Sequence, residues 1–192
     1  KYLNNDRNFT PDDIMMGKLS NDKSTGPIVI FDDDRFYMGS IVAEVAIKTG
    51  RKVVFVTSTS NVAAWSENTL EQGRIQSRLI KLGVEIIASH ELFDQQNDRL
   101  HIACSYSGNT REIHCDTLIL VTSRLPNDLL WKELLAKKED WSDAGINTIT
   151  RIGDCLQPGL IAMAVQSGHN YVREIIDNNS NAFRREDQNF AR

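Results

Sequence analysis

Apolar residues along this chain fall into short unbroken runs separated by stretches in which they recur every three or four positions. Ile28 to Phe31, Val53 to Val56 and LILVT at 118 to 122 are too short for helices and rich in branched residues. That composition marks strands buried on both faces. Between the first two runs, Ile41, Val42, Val45, Ala46 and Ile47 sit at helical spacing within Gly39 to Lys48, and Gly50 supplies the stop. A longer helix is predicted over roughly Asn68 to Leu82, striped by Leu70, Ile75, Leu79 and Leu82, and VEIIAS after Gly83 reads as a third strand. The order β-α-β-α-β requires right-handed crossovers and a parallel sheet.

The period then changes. Arg99 to Cys104 alternates, Ser107-Gly108-Asn109 signals a turn, and Glu112 to Cys115 returns, which together predict a hairpin. Beyond LILVT, Leu129, Leu130, Leu134 and Leu135 predict an amphipathic helix after Pro126, and Ile146 to Ile152 is expected to extend again. Leu160 to Ile176 is expected to form a last helix, striped by Ile161, Ala164, Val165, Val172 and Ile176. Near the start, Thr10, Pro11, Asp12 and Asp13 are the cap, first position and acidic first turn of a short helix. The expected fold class is α/β: a Rossmann-like parallel sheet with crossover helices and an antiparallel β-hairpin. Residues 1–26 are expected to be a connector with a short helix, 27–148 the Rossmann-like domain, 149–179 a strand-GD-helix segment and 180–192 a tail.

Composition narrows the function classes. A chain of 192 residues builds one substantial core with extensions. Net charge of −4, with basic residues scattered apart from Arg184-Arg185, gives no footprint for nucleic acid or an anionic membrane. No apolar run approaches the ~18 residues of a membrane span, and the polar start KYLNNDRNFT is unlike a signal peptide. A cytoplasmic location is expected. Cys104, Cys115 and Cys155 lack a C-x-x-C spacing, and His90, His101, His114 and His169 are dispersed. No disulfide framework, iron–sulfur site or zinc site is expected within the chain. No Ser-His-Asp order, Cys-His pair or paired carboxylates stands out either, so no catalytic residue is assigned.

The turn after the first strand carries the main chemical question. A dinucleotide fold holds its diphosphate with G-x-G-x-x-G at a helix N-terminus, whereas here Phe31-Asp32-Asp33-Asp34-Arg35-Phe36-Tyr37-Met38 keeps only Gly39. The aspartates would crowd a diphosphate and oppose its charge, with Arg35 offsetting one of them. The next strand ends Val56-Thr57-Ser58, with no acid for ribose hydroxyls and no arginine for a 2′-phosphate. Three adjacent carboxylates also suit a calcium loop poorly, because their directions diverge. The turn is therefore read as a solvated acidic cap on the helix dipole, with Phe36 and Tyr37 covering the cleft. Trp131, within the leucine-rich stretch, is read as core.

Four strings, TPDDIMMGK, IVIFDDDRFYMGSIVAEVAIKTGRKVVFVTS, LILVTSRLPNDLLWKELLAKKEDWSDAGI and RIGDCLQPGLIAMAVQSGHNYVREI, are similar, in collinear order, to the C-terminal part of the trimethylamine dehydrogenase group. That group lies among the old-yellow-enzyme-like NADH:flavin oxidoreductases with extended C-termini. The resemblance implies the NAD(P)-type domain of a two-dinucleotide flavoprotein followed by the last segment of its FAD/ADP-type domain. It further implies a piece of a longer enzyme whose catalytic barrel carries flavin mononucleotide (FMN), a 4Fe–4S cluster and the amine site. ADP would be bound in the parent, and an electron-transferring flavoprotein and a homo-oligomeric assembly are implied as partners. Ile152-Gly153-Asp154 resembles the G-D motif closing a flavoprotein dinucleotide site, which makes Gly153 and Asp154 the cofactor-binding candidates. The glycine-rich half of that site is expected upstream of Lys1. The fragment itself is expected to hold no cofactor and to be a degenerate, non-catalytic domain. Two alternatives remain: the NAD(P)H-binding domain of an enoate- or dienoyl-reductase-type NADH:flavin oxidoreductase, and a stand-alone interaction module.

Overall fold

The structure is a computed structural model that describes residues 7–176. The predicted tail lies outside the described residues. The chain divides into two compact units, Lys1–Ser123 and Arg124–Arg192.

The first unit contains β1 (Asn8–Phe9), α1 (Pro11–Met15), β2 (Ile28–Asp32), α2 (Met38–Ile47), β3 (Val53–Thr57), α3 (Gln72–Lys81), β4 (Glu85–Ile87), β5 (His90–Gln96), β6 (Arg99–Cys104), β7 (Thr110–His114) and β8 (Thr117–Val121). Five of these strands form a parallel sheet in the order β1-β8-β2-β3-β4. Both faces of the sheet are buried, so the alternation of side chains sorts the core into two layers. Ile28, Ile30, Val53, Phe55, Ile119 and Val121 pack with the helices through Val42, Ala43, Ala46 and Leu79. Val29, Val54, Val56, Leu118 and Leu120 face the other way and meet Leu100 and Ile102 of the antiparallel sheet and Cys115 just after it. Burial pushes the Cys115 thiol up to about 12, so it is an inert core group.

Thr10 caps α1 as expected: its hydroxyl accepts from the Asp13 amide at 3.3 Å while Asp13 accepts from the Thr10 amide at 2.8 Å. Lys18 beside Asp13, with those cap bonds, lowers the Asp13 carboxyl to about 2. Farther on, Arg51 fastens the approach to the sheet. Its guanidinium donates to the Gly26 carbonyl at 2.7 Å, Asp22 at 2.8 Å and the Thr117 hydroxyl at 2.7 Å. Burial opposes the charge of Asp22, yet bonds from Thr117, Ser24 and Arg51 hold its carboxyl well below the usual carboxylate range.

Two elements of the first unit differ from their sequence readings. The hairpin is the second half of a three-stranded sheet, β5-β6-β7. HELFDQQ is too polar to announce β5, although it turns into β6 through Asn97, whose positive φ of 51° suits a tight reversal. The expected helix from Asn68 begins only at Gln72, because Leu70 adopts φ 61° and breaks the helical path. Leu70 is accordingly 93% exposed rather than part of the stripe.

The second unit contains α4 (Leu129–Ala136) and α5 (Ile161–Ile176), with a 3-10 turn at Gly153–Cys155. No strand forms over Ile146 to Ile152. A strand requires a pairing edge, and this unit has no sheet among its described residues. The same absence leaves the predicted stripes uncovered: Leu129, Leu130, Ile161, Val165 and Val172 are exposed. Trp131 is likewise half-buried rather than core, its ring lying 4.2 Å from the Arg151 guanidinium.

Candidate functional site

In an open α/β sheet, ligands bind at the carboxyl ends of the strands where the strand order reverses. Here that point lies between β2 and β8, the first strand's neighbour on the side opposite β3. Asp32, Thr57 and Val121 share one register at this edge, all three buried. The turn after β2 lies across it. The Asp33 and Asp34 amides both donate to the Val121 carbonyl, at 2.9 and 3.2 Å. Backbone donors that would serve a diphosphate are thereby committed to the neighbouring strand.

The β3 side is tied down in the same manner. Asp33 accepts from Arg35 at 3.1 Å and from the Ser58 hydroxyl at 3.0 Å. Thr59 donates its hydroxyl to the Asn61 carbonyl at 2.7 Å. The Trp65 amide donates to the Arg35 carbonyl at 3.0 Å, and Phe36 stacks on the Trp65 ring with centroids 6.0 Å apart. Turn 33–37 and connection 58–66 are thus zipped together. Phe36 makes its cover with Trp65, while Tyr37 is half exposed.

Asp32 departs from the expectation of a solvated cap. It is 0% exposed, because it continues β2 rather than joining the turn. Its Oδ1 accepts from the Asp34 amide at 3.2 Å and, weakly, from the Arg35 amide at 3.4 Å. Among the described residues its Oδ2 has no hydrogen-bond partner. Burial, reinforced by the neighbouring carboxylates of Asp34 and Asp33, pushes its carboxyl up to about 7 despite the Arg35 and Asp34 amides. Nor is it the cap of α2, whose N-cap position is Tyr37, a residue that makes no side-chain cap bond. Gly39 explains the fit: a Cβ there would stand 2.8 Å from Asp32 Cγ and 3.0 Å from Phe55 Cζ. The last residue of the glycine fingerprint survives because it makes room for an aspartate. An unbroken run IVIFD ahead of a lone glycine was the available signal for that burial.

Gly153 and Asp154 lie together in the second unit. Gly153 adopts φ 59°, donates its amide to Ser167 Oγ at 3.0 Å, and has room for a Cβ only 3.5 Å from that of Ala164. Asp154 is exposed and accepts from the Gly159 amide at 3.3 Å, just before α5. The motif therefore packs on α5 with its carboxylate at the helix start. No group of three or more His, Cys, Asp or Glu able to hold a metal occurs among the described residues, and none of their helices is long and apolar enough to cross a membrane.

Residues 9–122, the portion built on this parallel sheet, match the OYE-like second alpha/beta domain. The chain belongs to that family. It is 31% identical over 187 residues to dimethylamine dehydrogenase of Hyphomicrobium sp. (strain x), covering 88% of this chain and 25% of that protein. The structure of histamine dehydrogenase from Rhizobium sp. 4-9 is similar with a TM-score of 0.80 and 42% identity, over 88% of this chain and 26% of that one. The 6-hydroxypseudooxynicotine amine oxidase of Pseudomonas geniculata N1 follows with a TM-score of 0.75 and 31% identity, over 87% of this chain and 23% of that one. The chain thus spans about a quarter of the length of these relatives. Its kinship with the trimethylamine dehydrogenase group, expected from the four strings, holds over most of the sequence.

Proposed function

We propose that this chain is a degenerate nucleotide-type domain of an amine-dehydrogenase-like flavoprotein, serving as scaffold rather than as a nicotinamide site. The observation that carries this reading is the pair of turn amides donated to Val121 at 2.9 and 3.2 Å. A diphosphate placed there would break both bonds and meet Asp33 and Asp34. The parent would oxidise a small amine at FMN in its barrel and pass electrons through a 4Fe–4S cluster to an acceptor such as an electron-transferring flavoprotein. The iron–sulfur cluster does not fit the described residues of this chain, which offer no group of metal ligands and a core thiol at Cys115. An ADP fits better at the second unit: Asp154 would take ribose hydroxyls beside the start of α5, with Gly153 holding the turn. The scaffold packs against the barrel of the parent and contributes to its homo-oligomeric, cytoplasmic assembly.

Calorimetric titration of the purified chain with NADH, NADPH and ADP tests the reading. Both nicotinamide nucleotides are expected to bind no tighter than about 1 mM, roughly 4 kcal/mol. Micromolar binding of either would overturn it.

A further inference from the structure

The closed turn has one component that scaffolding does not require: a buried carboxyl group at its root. Asp32 Oδ1 organises the turn by accepting from the Asp34 and Arg35 amides, at 3.2 and 3.4 Å. Its Oδ2 is buried with no hydrogen-bond partner among the described residues, and the carboxyl carbon stands where a Cβ on Gly39 would press, near the Phe55 ring. The groups facing it from the packed elements are Thr57 on β3, Val121 on β8 and Gly39 on α2, none of them titratable in this range. The charges nearest to it are Asp34 and Asp33 on its own turn, and the Arg35 guanidinium is directed at Asp33. The first charge along α2, Glu44, is held by Arg78 at 2.6 Å, and Glu67 of the β3–α3 connection by Asn61 at 3.2 Å.

We propose that Asp32 is a proton-operated latch: neutral, it keeps the β2–α2 turn shut across the carboxyl edge of the sheet, and on ionisation it loosens that turn. The inference rests on reading this turn as a closed nucleotide-type site and adds its regulation. An ionised Asp32 would be a desolvated charge beside two carboxylates with no cation of its own. Solvation is regained by swinging the turn outward, which releases the Asp33 and Asp34 amides from Val121 and the Asp33 carboxylate from Ser58. Arg35 favours that release, since its φ of 68° is a left-handed conformation that residues with a Cβ adopt at a cost. The elevated carboxyl of Asp32, about 7, places the transition near neutrality. The closed turn binds one more proton than the open one, so opening grows as pH rises.

The test is an NMR titration of the whole chain without nucleotide, following the Asp32 carboxyl carbon and the exchange of the Asp33 and Asp34 amides. Asp32 is expected to titrate near neutrality. Protection of the two amides, corrected for intrinsic exchange, should fall about tenfold per pH unit between roughly 4 and 7 and then level off. Asp32→Asn, which keeps the Oδ1 acceptor, should make that protection independent of pH. Asp34→Asn keeps the turn amide, removes one facing carboxylate and should move the wild-type midpoint to lower pH, so it decides the matter if the first variant fails to fold. Titration of Asp32 near 4, protection that does not vary with pH, or an unmoved midpoint in Asp34→Asn would each overturn the latch. None of these outcomes bears on nucleotide affinity, so the latch and the scaffold reading fail separately.

Discussion

Arg51 and Asp22 are each only 9% exposed in their side chains, so neither can lose its partner cheaply. Breaking a buried pair leaves an uncompensated charge, which costs about 3–5 kcal/mol. Arg51→Ala should lower unfolding stability by that amount in urea melts, whereas exchanging both partners for apolar residues of similar volume should cost far less. Asp32 acts in the opposite sense. Its folded carboxyl, at about 7, lies above the unfolded value near 3.9, so the folded chain holds a proton that the unfolded chain has lost. Stability from this group is complete below about 4 and declines as pH rises toward 7, by roughly 1.4 kcal/mol per unit. Chemical denaturation of Asp32→Asn across this window should lack the decline. Asp13, lowered to about 2, contributes stability that is lost instead as pH falls from about 4 toward 2.

Two glycines in helices separate the demands of an element from those of its packing. Gly73 in α3 has nothing within 4 Å of an added Cβ, so Gly73→Ala should gain about 0.5–1 kcal/mol from helix propensity alone. Gly39 in α2 has the same intrinsic preference, yet its Cβ would press on Asp32 and Phe55 at 2.8 and 3.0 Å. Overpacking of that kind costs about 1–3 kcal/mol, so Gly39→Ala should destabilise. Thermal melts of the pair give opposite signs if the contact around Asp32 is as tight as its geometry, and matching gains would refute it. The identity of the residue is the same at both positions. Only the neighbour across the helix differs.

For the molecule as a whole, the first unit, Lys1–Ser123, contains every described strand and both hydrophobic clusters. The stretch at its end and just beyond, from Thr122 to Leu125, is exposed. Limited trypsinolysis is expected to cut first after Arg124, and the 1–124 fragment should retain a cooperative thermal transition, read by circular dichroism. Loss of that transition on cleavage would mean that the sheet needs the second unit. The alternative of a stand-alone interaction module predicts no dependence on a larger enzyme, so co-expression with an amine-dehydrogenase barrel that leaves the second unit unprotected from protease would favour it.

The sequence by itself determined four of the five parallel strands, β2, β3, β4 and β8, because runs such as IVIF and LILVT can be satisfied only by burial on both faces, whereas the edge strand β1 fell in residues read as a connector. It also determined that the glycine fingerprint was broken, since the missing glycines are visible as letters. Tertiary structure fixed where β2 stops, and so placed Asp32 inside and Asp33 and Asp34 on the turn, a burial that the run IVIFD only hinted at. It decided too that Val121, an ordinary strand residue in the sequence, offers the carbonyl that shuts the site, because that partnership joins residues 88 positions apart, from Asp33 to Val121. The stripes of α4 and α5 mark the converse limit: periodicity states which face seeks cover, and only a partner in space can supply it.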